Sequence, residues 1–117
     1  MARTEITAVH ATANNNPSPA FTLQAVTAAD GAALLWDERD DRMTVLLHNE
    51  GSSEVTVTVK AGDGIAAVCD LAVPVASKSY VHLHLDSARF KHLSGTDRGK
   101  VLLTTSGAVS VAVLSIG

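Results

Sequence analysis

The sequence predicts an all-β fold: an antiparallel β-sandwich, jelly-roll or immunoglobulin-like, with seven to nine short strands and an extended N-terminal arm. Three observations carry this. Short aliphatic and β-branched runs alternate with polar residues, most clearly in Glu54-Val55-Thr56-Val57-Thr58-Val59-Lys60. Clusters of Gly, Asp, Asn and Ser punctuate the chain at roughly the eight-to-twelve-residue spacing of a sandwich or barrel. No stretch repeats apolar residues at i, i+3, i+4 and i+7 as an amphipathic helix would.

Residues 1–19 read as an arm or a loosely held edge strand. They are small and polar, contain the run Asn14-Asn15-Asn16, and close on Pro17 and Pro19, which fix φ and remove donors. With little apolar mass, this segment is expected to add little stability to an isolated subunit, either as a frayed terminus or as an arm that orders on a neighbouring subunit. The sandwich is assigned to residues 20–117.

Phe21–Val26 alternates, Ala29-Asp30-Gly31 is a turn, and Ala32–Trp36 is the next apolar run. The acidic string Asp37-Glu38-Arg39-Asp40-Asp41 reads as a solvated hairpin tip. Met43–His48 is nearly continuous in apolar residues, as expected of a strand buried on both sides or near the centre of a sheet. Glu54–Lys60 directs Val55, Val57 and Val59 to one face. With turns at Asn49–Ser52 and Gly62-Asp63-Gly64, the runs Met43–His48, Glu54–Lys60 and Ile65–Asp70 are expected to form an antiparallel meander.

Ala72-Val73-Pro74-Val75 suits an edge, because Pro cannot donate to a ladder. Ser79–Leu85 points Val81, Leu83 and Leu85 inward and Tyr80, His82 and His84 outward. Ser87–Lys91 suits a helical turn or corner anchored by Phe90. Lys100–Thr105 and Val109–Ile116 are expected to pair through Ser106-Gly107.

Composition excludes several classes. The 117 residues are 46% hydrophobic and 18% charged, which is globular, and the net charge of −3 is spread without a basic run. Nucleic acid is therefore not an expected partner. The single cysteine, Cys69, permits no intrachain disulfide; beside Ala66-Ala67-Val68 it is expected to be a buried, inert thiol. No apolar run approaches the roughly 20 residues of a membrane helix, so no membrane partner is expected. The basic Arg3 is followed by no apolar segment, so the expectation is synthesis in a cytoplasm without a signal peptide.

Chemistry-bearing patterns are sparse. His82 and His84 share a strand face about 6.5–7 Å apart and are the one metal candidate, with His48 or Asp86 as a third ligand; two solvent-facing imidazoles that bind nothing are the plainer reading. Ser87, Ser94 and Cys69 lie in no context that strains and exposes a nucleophile. Gly62-Asp63-Gly64 and Gly95–Gly99 open no helix to hold a phosphate. A sugar-binding face would need Trp36 and Tyr80 together. No cofactor and no catalytic residue is assigned.

From the arm to Phe21, through Leu47-His48-Asn49-Glu50-Gly51-Ser52-Ser53 and Val55–Val59, then Asp86–Lys91, Ser94–Val101 and a final Val-Ser-Val-Ala-Val strand, the chain resembles a known group. These are the small β-sandwich head decoration (cement) or minor capsid proteins of tailed bacteriophages. The resemblance covers most of residues 20–117 and rests on structural motifs. It implies a non-enzymatic virion protein that binds the major capsid protein on the outer head surface, commonly as a homotrimer, and stabilises the capsid. Contact residues expected on this basis are Asn14, Asn15, Asn16, Pro17, Asn49, Glu50 and Arg98. The alternative expectation is a sugar- or surface-binding module of a phage fibre or cell-surface protein.

Overall fold

A computed structural model describes residues 3–11, 21–37, 39–64 and 69–116. Among them lie ten strands: β1 (Thr4–Ile6), β2 (Val9–Ala11), β3 (Gln24–Val26), β4 (Ala32–Leu35), β5 (Met43–His48), β6 (Val55–Val59), β7 (Leu71–Val75), β8 (Tyr80–Leu83), β9 (Lys100–Thr105) and β10 (Val109–Ile116). A 3-10 turn, Asp40–Arg42, precedes β5, and one helical turn, α1 (Ser87–Phe90), follows β8.

Two sheets form the predicted sandwich. One runs β1-β4-β9-β6-β7; the other runs β2-β10-β5-β8, with β3 also on β10. Without the first two strands, the orders are β4-β9-β6-β7 and β3-β10-β5-β8, and every pair is antiparallel. Eight strands wound this way are a jelly roll, which resolves the topology left open above.

The alternating runs fold as their period requires. Val55, Val57 and Val59 face the core, and so do Met43, Val45 and Leu47. The centre is aliphatic, packed around Trp36 and Phe90. β5 is central in its sheet as expected, although it buries one face and keeps Thr44, Leu46 and His48 on the other at intermediate exposure. Pro74 sits on β7, an edge strand, as its missing donor demands. Gly31 takes φ +68, and a Cβ there would lie 2.6 Å from the Leu103 carbonyl oxygen, so this turn requires glycine.

Strand pairing differs from the expectation at two places. β5 and β6 do not form a hairpin: they lie in opposite sheets, and the 49–54 segment crosses between them. β9 and β10 likewise separate into the two sheets. Each of these strands contributes a row of alternate residues to the core cluster, and crossing over sets those rows against each other. Residues 65–68 of the expected third meander strand lie outside the described residues; Cys69 and Asp70 lead into β7.

The N-terminal segment is also revised. Thr4–Ile6 and Val9–Ala11 are edge strands, as one of the two readings had it, but firmly rather than loosely held. β1 runs parallel to β4 in one sheet, and β2 runs parallel to β10 in the other. Ile6 is 1% exposed within the core cluster, so the segment stitches one side of the sandwich shut. Residues 12–20, with Asn14, Asn15, Asn16 and Pro17, lie outside the described residues.

Candidate binding surface

The polar residues divide into fasteners and a presented face. Asn49 is the first fastener. It follows β5 at 0% exposure, and its Nδ2 donates to the carbonyl oxygens of Ser53 (2.8 Å) and Val75 (3.0 Å). Its Oδ1 accepts from Gly51 N at 2.9 Å. Asn49 was expected as a capsid contact; it is an internal clamp instead, because a buried amide must satisfy its donors and acceptor. What it holds out is Glu50, which is exposed.

Asp40 fastens the other end. Its Oδ1 accepts from Trp36 Nε1 at 2.9 Å, and its Oδ2 accepts from the backbone N (3.0 Å) and Oγ (3.1 Å) of Ser87. Partial burial raises its pKa, but the hydrogen bonds from Trp36 and Ser87 and the nearby His84 more than offset this and hold it below the ordinary carboxylate value. The acidic string is thus not merely a solvated tip: one of its carboxylates anchors the core Trp36 to α1.

Asp63 and Asp70 do the same for loops. Asp63 accepts from Leu93 N (2.6 Å) and Ser94 Oγ (2.9 Å), and these bonds lower its pKa. Asp70 accepts from Lys60 Nζ and Ala61 N, both at 2.7 Å, with the same effect. Asp86 caps α1 by accepting from Ala88 N at 2.9 Å. Ser87 and Ser94, weighed above as nucleophiles, are donors to carboxylates.

The presented face is the outer surface of β5 and β8. Tyr80 is 67% exposed and stacks on His48, ring centroids 3.8 Å apart and planes 14° from parallel. Pairing sets His48 opposite Tyr80 and Leu46 opposite His82. His82 and His84 are exposed on this face, as their alternation predicts. His84 Nε2 lies 2.7 Å from the Asp40 carbonyl oxygen, which only accepts, so that nitrogen carries a proton and is committed. Among the described residues no group of three or more His, Cys, Asp or Glu is placed to hold a metal.

An open cleft of about 440 Å³ adjoins this face, between residues 48–53 and the β9–β10 turn at Gly107–Ser110. Glu50 lies on its rim. Arg98 is exposed in the loop before β9, at the opposite end of the sandwich from Glu50. Roughly 20 Å, the length of β9, separates the two ends, so these two expected contacts do not form one patch.

Two further expectations change. Trp36 is 1% exposed, so it cannot share a sugar-binding face with Tyr80. Cys69 is exposed rather than buried, with Arg89 Nη2 at 3.6 Å from its Sγ. Asn49 and Asp40 were missed as organisers because what marks them is the carbonyls and amides that reach them from distant strands. The capping order Asp86-Ser87-Ala88 was the one such signal readable locally.

No family model matches the chain, and no curated protein and no solved structure matches it either.

Proposed function

We propose that this chain is a non-enzymatic virion structural protein: a decoration protein that binds the major capsid protein on the outer surface of a tailed-phage head and stabilises it. The observation that carries the reading is the division of labour among its polar side chains. Asp40, Asp63, Asp70 and Asn49 are each consumed in tying loops to the sandwich. The exposed ring of Tyr80, stacked on His48, lies on an open strand surface suited to contact with a broad partner. The residue resemblance over 20–117 points the same way. Jelly rolls serve in viral capsids, lectins and cupins alike, so the architecture is compatible with the role without selecting it.

The physical mechanism is linkage. A protein that binds only the assembled shell adds its binding free energy to the shell and to no dissociated subunit. The test is to mix the purified chain with expanded heads from the same source and pellet them. Saturable co-sedimentation, weakened by Tyr80→Ala, supports the reading; a chain that stays in the supernatant at every ratio refutes it.

A further inference from the structure

The two open sides of the sandwich are treated differently. On one, β1 and β2 continue both sheets and close the seam with Ile6. On the other, the edge strands β7 and β8 are joined only through residues 76–79, and Leu71, Val73, Val81 and Leu83 stay partly exposed against the core.

The two edges on that side are also unlike. β7 carries Pro74, which has no N–H and blocks ladder growth. β8 reads Tyr80-Val81-His82-Leu83 and carries no Lys, Pro, Asp or Glu, the residues that natural edge strands use against pairing. Asn49 N donates to Ser79 O at 3.1 Å while Ser79 N turns to Ala76 O, so this single ladder bond sets the alternation at the start of the β5–β8 pairing. Alternation then turns the backbone groups of Val81 and Leu83 toward β5. Thr44 Oγ1, donating to Leu83 O at 3.2 Å, agrees. The N–H and C=O groups of Tyr80 and His82, and of His84 next along the chain, face outward, where the sheet has no further strand among the described residues.

We infer that β8 is a homodimerisation edge, pairing antiparallel with β8 of a second copy about a twofold axis through His82. The occupant is a second copy because the outward groups are self-complementary in this register. His82 exchanges both bonds with His82 of the second copy, and Tyr80 exchanges with His84 in each direction. The β2-β10-β5-β8 sheet then runs continuously through both molecules. On the outer face the His48–Tyr80 stack gains His84 of the second copy beside it. On the inner face Val81 and Leu83 meet their counterparts, covering apolar side chains that one copy leaves partly open. This contact differs from the trimer implied by the sequence resemblance and does not depend on what shell the protein binds.

The register makes a charge-swap test. His82 is exposed and would face its own copy across a hydrogen-bonded pair, with Cα atoms about 5.5 Å apart. Wild-type protein should sediment at twice the 12.1 kDa chain mass. His82→Lys and His82→Asp should each weaken the dimer about tenfold, since like charges then oppose directly. An equimolar mixture of the two should restore it. Independently of any variant, the amides of Tyr80, His82 and His84 should exchange hydrogen more slowly as wild-type concentration rises. Wild type that is monomeric, or trimeric, at concentrations on the order of 100 µM overturns the proposal. So does a dimer indifferent to both substitutions, or a mixture no tighter than either variant alone, or concentration-independent exchange at those three amides.

Discussion

The Asn49 side chain donates to the Val75 carbonyl oxygen at 3.0 Å, fastening the end of β5 in one sheet to β7 in the other. Both partners are fully buried, so the bond is screened from water. Asn49→Ala leaves that carbonyl and the Gly51 N–H without this partner. Loss of about 2–3 kcal/mol of unfolding free energy is expected in urea melts. Asn49→Asp should do worse, because a carboxylate would face two carbonyl oxygens. Equal stability of Asn49→Ala and wild type would show that the clamp is dispensable.

Ile6 tests the stitched edge. It is the apolar anchor of β1 inside the core, and Ile6→Ala is expected to cost about 2–4 kcal/mol, as for other large-to-small core changes. Deleting residues 3–11 should unfold the domain or leave it with a sharply lower Tm. A truncated chain as stable as the full one would return this segment to the status of a detachable arm.

Val57 lies at 0% exposure in the middle of β6. Val57→Asp buries an unpaired carboxylate among aliphatic side chains and should prevent folding at neutral pH. A soluble, cooperatively melting Val57→Asp protein would mean that the strand faces are inverted.

Acid should weaken the fold through three carboxylates. Asp40, Asp63 and Asp70 all have folded-state pKa values below the ordinary 3.8. A depressed carboxylate pKa adds stability that is fully present above the unfolded value. That stability is lost as pH falls through the folded one. Unfolding free energy is therefore expected to be level near neutrality and to decline below about pH 5. Asp40→Asn should lower stability at neutral pH and flatten the acid decline. An unchanged acid slope in Asp40→Asn would remove Asp40 from the set.

Local structure was legible where the pattern was local. The alternation in β6 and the outward triplet Tyr80, His82 and His84 follow from a two-residue period, the edge position of Pro74 from its missing donor, and the Phe90 anchor from one large apolar residue in a polar turn. Pairing was not legible: a turn such as Ser106-Gly107 serves a hairpin and a crossover between sheets equally well, and packing of the far faces decides. β1 and β2 span only Thr4–Ile6 and Val9–Ala11, too short to alternate visibly, and pair with β4 and β10 far along the chain. Cys69 misled because Ala66-Ala67-Val68 made its surroundings look like core. The presented face was half visible: its histidines alternate, but the His48–Tyr80 stack depends on register between strands.

The central claim is that this chain strengthens a shell by holding its outer surface. Its most direct measurement is the temperature at which expanded heads rupture and release DNA, recorded with and without saturating protein. The claim predicts a higher rupture temperature with the protein bound, with the gain fading as Tyr80→Ala weakens attachment. The same rupture temperature at demonstrated saturation would contradict it.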